Sequence, residues 1–544
     1  MIIALAQIDT TVGDIRGNCE LILSRYRRAC AGGADLVVFP ELAIPGYPAW
    51  DLLERRDFVS ANLKALDGLA RSTGRAGLLA GFVDPNPAGI GKPLFNAAAL
   101  CAGGRVVAKR RKTLLPTYDV FDEARYFEPA TDNRPVAFRG RRLGITICED
   151  AWNDAGFWRK RLYPVDPVRR LVREGIDILV NISASPYHRG KIDLRRRMLR
   201  SHGTKAKCPI LFCNLVGGND ELLFDGDSLI LDGQGKLLAQ GKSFEEDLLA
   251  VDTEALGGPV PAPRMDEIEE VHQALLLGLR DYMRKCGFKD ALVGVSGGVD
   301  SALVCALAAH ALGPDHVTAV SMPSMYSSAG SITDAEKLCG ALGVKLLSMP
   351  IIDIYNAYAL ALREAFLGTT PGTAEQNIQA RIRGSLLMAL SNNRGAMLLS
   401  TGNKSELSVG YCTLYGDMSG GLALIGDLPK TTVYELARHL NREKEVIPQS
   451  SIDKAPSAEL KPGQKDQDDL PPYDVLDDVM KAYVEEGADA ASIAKKHPRA
   501  VVDDIIGRID RNEYKRRQAP PVLRITPKSF GIGRRMPIAR GLDK

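Results

Sequence analysis

Short apolar runs, each closed by glycine, proline or charge, recur through the first 250 positions. Met1-Ile2-Ile3-Ala4-Leu5-Ala6 opens the chain, and residues 35–40, 143–148 and 176–181 repeat the texture. Their length and flanks predict buried strands. Between them, residues 16–31 carry apolar positions at helical spacing and stop at Gly32-Gly33, which predicts a helix. Strands alternating with amphipathic helices predict an α/β fold. Hairpin-like pieces lie at 225–239 around an Asp232-Gly233 turn signal.

The pattern breaks at Gly257-Gly258-Pro259-Val260-Pro261-Ala262-Pro263. This stretch has no apolar period, so it predicts a linker, placed at 251–265, between a unit of residues 1–250 and one of residues 266–544. Beyond it, 267–286 predicts a long helix. Residues 291–295 predict a strand that feeds a glycine turn and then the most apolar helical run, 301–312. Residues 450–472 turn polar and proline-bearing, which predicts a long functional loop. Neither an internal repeat nor a low-complexity tract interrupts this plan.

Composition narrows the options. A chain of 544 residues exceeds the roughly 250–300 that one core sustains, so at least two domains are expected. Lys+Arg number 70 against Asp+Glu 67. A chain so nearly balanced has no global electrostatic reason to seek nucleic acid or an anionic membrane, so anion recognition has to be local. No run reaches the ~18 apolar residues of a membrane span. The opening residues lack a basic leader and read as a strand. Ten cysteines are scattered with no C-x-x-C pair, which fits a reducing, cytoplasmic compartment.

Three segments of the first half place reactive side chain types where strands end: Phe39-Pro40-Glu41-Leu42, Arg111-Lys112-Thr113-Leu114-Leu115-Pro116 and Ile147-Cys148-Glu149-Asp150. A cysteine attacks an amide carbon only as thiolate. A nearby carboxylate can take its proton, and a lysine can stabilise the oxyanion that forms. Glutamate, lysine and cysteine together therefore suffice for amide hydrolysis without histidine. A strand-end cysteine on its own is more often a small buried hydrophobe.

The F-P-E, K-x-x-L-P and C-E-D segments, in this order, resemble the nitrilase (carbon–nitrogen hydrolase) family over residues 1 to about 250. The resemblance implies an αββα sandwich with Glu41 as general base, Lys112 as third catalytic member and Cys148 as nucleophile. It also implies glutamine contacts at Tyr118, Ser185 and Lys191, and a supporting carboxylate at Glu123, for which Asp122 and Glu128 remain alternatives.

In the second half, Gly294-Val295-Ser296-Gly297-Gly298-Val299-Asp300-Ser301 links a strand to a helix. Glycines admit an anion close to the backbone, and a helix N-terminus favours phosphate. Asp300 offers a hard oxygen ligand for Mg²⁺. The string S-G-G-x-D-S resembles the pyrophosphate loop of the ATP pyrophosphatase group, whose members adenylylate a carboxylate or carbonyl on a doubly wound parallel sheet. Further segments narrow the acceptor: residues 375–383 and 400–407, Leu428-Pro429-Lys430-Thr431, Pro456-Ser457-Ala458-Glu459-Leu460 and Tyr514-Lys515-Arg516-Arg517. Their order resembles NAD synthetases over residues 265–544.

With the nitrilase-like half in front, the whole chain resembles the glutamine-dependent NAD synthetases. That implies L-glutamine, ATP and deamido-NAD as substrates, Mg²⁺ as cofactor and a homo-oligomer joined through the synthetase half. It implies ATP contacts at the loop, Thr401, Lys430 and Ser457. Deamido-NAD contacts fall at Asn377, Arg381, Glu406 and Lys515, and Asp300 and Glu406 share the metal. The lysine that ammonia-using members carry near Leu414 is missing here. The rival readings are a glutaminase serving another adenylylated acceptor and a non-catalytic glutamine or nucleotide sensor.

Overall fold

Successive side chains of the opening strand enter two different cores. In β1 (Ile2–Gln7), Ile3 and Leu5 join one apolar cluster while Ala4 and Ala6 join another. In β2 (Leu36–Val38), Leu36 and Val38 take the first side and Val37 the second. Strand side chains alternate in direction, so a strand covered on both faces reads as the unbroken apolar run seen in the sequence.

The computed structural model describes residues 1–263, 265–370 and 372–541, and it divides into units Met1–Met265 and Asp266–Lys544. Strands β3 (Gly77–Pro85), β4 (Leu94–Ala102) and β5 (Arg105–Arg111) extend the first sheet. A second sheet is made from β6 (Val136–Phe138), β7 (Arg141–Ile147), β8 (Ile178–Ser183) and β9 (Ile210–Asn214). A separate ribbon, β10 (Val216–Asn219) with β11 (Leu222–Asp225), precedes the last two strands of that sheet, β12 (Leu229–Leu231) and β13 (Leu237–Gln240). β14 (Asp247–Asp252) then returns antiparallel to β1. It takes in residues 251 and 252 of the expected linker, and Arg264 of that linker lies outside the described residues.

Both sheets have six strands, ordered β14-β1-β2-β3-β4-β5 and β13-β12-β9-β8-β7-β6. Leu143, Ile145 and Ile147 of β7 and Val180 and Ile182 of β8 meet Ile3, Leu5 and Leu79 between the sheets. Helices α1 (Ile15–Ala31) and α2 (Arg56–Arg71) cover the outer face of the first sheet. Helices α3 (Pro167–Arg173) and α4 (Lys191–Ala206) cover that of the second. The first unit's two sheets and four helices therefore form an αββα sandwich. β8 starts later than the composition predicts and runs on through two polar residues. It can do so because Asn181 donates to Thr146 Oγ1 (3.0 Å) and Ser183 donates to Asn181 Oδ1 (2.7 Å), so both buried groups are partnered.

The second unit opens with α5 (Glu267–Lys285) and then alternates: β15 (Ala291–Gly294), α6 (Val299–Leu312), β16 (Val317–Ser321), α7 (Ala329–Leu342), β17 (Lys345–Ser348), α8 (Ile352–Leu362), α9 (Thr373–Arg394), β18 (Met397–Ser400), α10 (Lys404–Val409), β19 (Leu422–Ala423) and α11 (Lys430–Leu440). The strands pair in parallel in the order β17-β16-β15-β18-β19. The order reverses between β15 and β18, and in such doubly wound sheets ligands bind beyond the carboxyl ends of the strands at that point. α6 is apolar on nearly every face and buried from Ser301 to Ala309, as a central helix should be. Among the described residues, no helix is long and apolar enough to cross a membrane.

Candidate functional site

Each unit assembles one polar constellation. In the first, β3 brings Gly81 against the turn that carries Glu41. A Cβ at Gly81 would stand 2.1 Å from Leu42 N, and Gly81 N donates to Pro40 O at 3.1 Å. The turn is thus pressed flat onto the strand and Glu41 is aimed inward. Along β5 the side chains alternate: Lys109 and Arg111 both reach Asp84 on one side, while Arg110 binds the carbonyls of Arg134 and Pro135 on the other. Lys112 follows Arg110's side and is wholly buried.

The Lys112 ammonium lies between two carboxylates. It is 2.7 Å from Glu41 Oε1 and 2.7 and 2.9 Å from the two oxygens of Glu123. Asn96 Nδ2 bridges the same pair (2.7 Å to Glu41, 3.3 Å to Glu123), and Tyr47 donates to Glu123 at 3.1 Å. The second oxygen of Glu41 accepts from Ala184 N at 2.9 Å. Glu128 instead accepts from Lys92 N, so of the three carboxylates considered it is Glu123 that meets the lysine. Burial would lower the Lys112 pKa. The charges of Glu123 and Glu41 outweigh it and hold the ammonium well above its usual value. Burial pushes Glu123 up to about 7 despite Lys112.

Cys148 directly follows β7 with φ +41°, a left-handed conformation that costs a non-glycine residue of order 1–3 kcal/mol. Asp150 holds that turn, accepting from Ile147 N (3.0 Å) and from Thr113 N and Leu114 N (2.9 Å each). It thereby ties the cysteine turn to the lysine segment. Burial and the Glu41 charge push the thiol well up, against the pull of Lys112. The sulfur is accordingly protonated at rest and needs a base before it can attack.

At this site Glu149 accepts from Tyr118 (3.1 Å to each oxygen) and Tyr163 (3.0 Å). Ser185 N donates to Asn214 Oδ1 at 3.0 Å, and the Lys191 ammonium sits 4.2 Å over the Trp152 ring.

In the second unit, the loop 294–301 lines a cavity of about 280 Å³ at the strand-order reversal. No side chain caps the N-terminus of α6, so its N–H groups are available to an anion. Gly297 has φ +80°, and a Cβ there would stand 2.3 Å from Ser331 O. Only glycine lets the loop lie this close to α7. Within it, Ser301 Oγ accepts from Ser296 N at 3.1 Å and lies 3.2 Å from Ser296 Oγ.

Asp300, Glu406 and Lys430 face one another in this cavity. Lys430 pairs with Asp300 and lies 3.8 Å from Glu406, while Asn403 donates to Asp300 at 2.9 Å. Burial, then the Asp300 charge, push Glu406 up to about 8. Thr401, Ser457, Gly294, Val295, Gly298 and Val299 line the same cavity.

The three remaining expected dinucleotide residues are engaged with one loop. Lys515 donates to the carbonyls of Gly410 (2.7 Å) and Cys412 (2.8 Å), Asn377 accepts from Thr413 Oγ1 (2.9 Å), and Arg381 donates to Leu414 O (3.3 Å). The segment from which the lysine is missing is thus held by neighbours.

A carbon-nitrogen hydrolase family model matches residues 2–257 and an NAD synthase family model matches residues 271–519. The chain is 46% identical to a glutamine-dependent NAD(+) synthetase of a Synechocystis strain, over 99% of this chain and 98% of that one. It is 42% identical to the one of Thermotoga maritima, over 98% of both chains. The chain belongs to the glutamine-dependent NAD(+) synthetase family. Among solved structures, the Acinetobacter baumannii glutamine-dependent NAD+ synthetase in complex with ADP superposes with a TM-score of 0.78 at 38% identity, covering 99% of this chain and 98% of that chain. The synthetase of Cytophaga hutchinsonii, at 22% identity, shares the fold (TM-score 0.83).

The geometry brings in residues that motif reading passes over. Asn96 is the one amide in the apolar run Leu94–Ala102, and that isolation was its signal. Asp466, beside the pair Asp300 and Lys430, and Tyr47 and Tyr163, beside the first constellation, stand in no recognisable string, while Asn403 lies within the 400–407 segment without a role assigned from it.

Proposed function

We propose that the chain hydrolyses glutamine in its first unit and uses the ammonia in its second to convert deamido-NAD into NAD, consuming ATP and releasing AMP and pyrophosphate. The observation that carries this reading is the lysine buried between two carboxylates beside Cys148, in the same chain as an uncapped helix N-terminus that presents Asp300.

In the first unit, Glu41 takes the thiol proton and the sulfur attacks the glutamine amide carbon. Lys112 stabilises the oxyanion, the proton passes from Glu41 to the departing ammonia, and water then cleaves the thioester to glutamate. Glu123 keeps Lys112 charged and in place. Glu149 suits the substrate's α-ammonium, while Ser185 and Lys191 suit its carboxylate and Tyr118 walls the entrance.

In the second unit, the loop with Ser296, Ser301, Thr401, Lys430 and Ser457 holds the ATP phosphates. The deamido-NAD carboxylate displaces pyrophosphate at the α-phosphorus, and ammonia then displaces AMP. Asn377, Arg381, Glu406 and Lys515 define the dinucleotide side, the first, second and fourth by way of the 410–414 loop. Asp300 and Glu406 fit Mg²⁺. Both are hard oxygen donors, and burial and the Asp300 charge raise the Glu406 pKa, which a cation held between the two carboxylates would lower. When bound, the metal offsets phosphate charge.

Ten cysteines without disulfides, the nucleophile among them, support a reducing, cytoplasmic setting. A homo-oligomer through the second unit completes the reading.

Cys148→Ala tests the division of labour. It should abolish NAD formation from glutamine and leave formation from ammonium chloride intact. A folded variant that loses both reactions contradicts it.

A further inference from the structure

We infer that Glu269, His272 and His439 form a binding site for a divalent transition-metal cation of the zinc class, outside both reaction centres. Glu269 and His272 are one turn apart on α5 and share a face, and His439 comes from α11. One ligand atom from each lies within 4.8 Å of the others. His439 Nε2 is 2.7 Å from Glu269 Oε2, and His272 Nδ1 is 3.9 Å from the same oxygen. His310 of α6 lies beside His272, ring centroids 6.0 Å apart and planes tilted by 55°. Three of the chain's seven histidines therefore meet at one seam.

At 2.7 Å from a carboxylate, His439 Nε2 donates to Glu269, which leaves Nδ1 as the ring's acceptor. Arg442 Nη1 lies 3.1 Å from that Nδ1 and donates to Glu269 Oε2 at 3.0 Å, so a guanidinium supplies the positive charge at this seam. Both ring nitrogens of His272 are buried without a hydrogen-bond partner. A doubly protonated ring would leave two buried N–H donors unmet, so the ring is neutral and one lone pair is unclaimed. A metal cation in place of Arg442 takes that lone pair, one lone pair of His439 and one oxygen of Glu269. Gln273 Nε2 already fixes the other oxygen at 2.7 Å, the kind of outer contact that orients a ligating carboxylate. Arg442, half exposed, is free to turn toward solvent.

Two imidazoles and a carboxylate select zinc-class ions over Mg²⁺ or Ca²⁺ and leave a fourth position for water. α6 and α11 begin at the nucleotide cavity with Asp300 and Lys430. His310 and His439 lie ~14 Å further along those helices at 1.5 Å per residue. A cation here fastens α5 to the far end of α11, so its effect falls on stability more than on chemistry.

The test uses full-length protein stripped with a chelator, without nucleotide, and Zn²⁺ as probe in competition with a chromophoric indicator. One Zn²⁺ equivalent should bind and raise the unfolding temperature. Glu269→Gln and His439→Gln should each weaken binding at least about tenfold, and Asp300→Asn should leave it unchanged. Arg442→Ala, which removes a competing cation and no ligand, should tighten binding several-fold. Co²⁺ should give a four-coordinate absorption spectrum that His439→Gln abolishes. The inference is overturned if the wild type fails to bind at micromolar Zn²⁺, if the histidine and glutamate variants bind as the wild type does, if Asp300→Asn removes the binding, or if Arg442→Ala fails to tighten it.

Discussion

Replacing Lys112 with alanine is the sharpest perturbation of the first constellation. Its ammonium has no solvent exposure and is the cation that Glu41 and Glu123 share at 2.7 Å each. Removing one partner of a buried ion pair costs ~3–5 kcal/mol, because the remaining charge is left uncompensated. Here two carboxylates are left facing each other, and a proton relieves part of that cost. Burial already lifts Glu123 from its usual 4.5 to about 7, and Lys112 opposes the shift, so without the lysine it rises further. A folded-state pKa above the unfolded one contributes stability that is complete below the unfolded value and lost as pH rises through the folded value. The variant should therefore lie closest to wild type near pH 5 and be clearly less stable at pH 8, as read from urea melts at both. Loss of the oxyanion donor removes a further ~10²–10³ in rate, or ~3–4 kcal/mol of barrier. Glutamate release at pH 7.5 should fall at least that far, while synthesis from ammonium chloride stays near wild type. Arg111→Ala is the control: it breaks a partly exposed pair with Asp84 and should change the glutaminase rate little. A Lys112→Ala protein that hydrolyses glutamine as fast as Arg111→Ala would refute the reasoning.

In the second unit, Asp300→Asn should lower NAD formation by orders of magnitude with either nitrogen source, because each ~1.4 kcal/mol of lost barrier stabilisation is tenfold in rate. Near-normal pyrophosphate release by that variant would remove Asp300 from the chemistry. Glu406 sits at about 8, so below that pH a cation has to displace its proton. Apparent Mg²⁺ affinity, followed by calorimetry, should climb up to ~10-fold per pH unit between pH 6 and 8 and then level off. Glu406→Gln should flatten that profile, and an unchanged slope would exclude Glu406 as the titrating ligand.

The buried strands of the sandwich were legible because each is covered on both faces and reads as an unbroken apolar run, as in β2 and β7. Alternation along an extended chain allows Lys112 to face away from Lys109 and Arg111, and the structure has those two on Asp84 with Lys112 buried on the other side. Burial of Asn96 and the tie from Asp150 to the lysine segment were not, because each depends on partners brought close only by sheet packing. Lys515 and Asn377, which the resemblance marks as dinucleotide contacts, bond the 410–414 loop, whose path no local pattern records. The Glu269–His272–His439 seam joins residues 170 positions apart and matches no spacing rule.

In the proposed reaction, nitrogen released from glutamine at Cys148 becomes the amide of NAD. Amide-¹⁵N glutamine, ATP, Mg²⁺ and deamido-NAD incubated with the wild-type chain should yield NAD carrying ¹⁵N in its amide, with AMP and pyrophosphate formed in equal amount. Unlabelled NAD, or glutamate release unaccompanied by NAD in the presence of all four reactants, would contradict it.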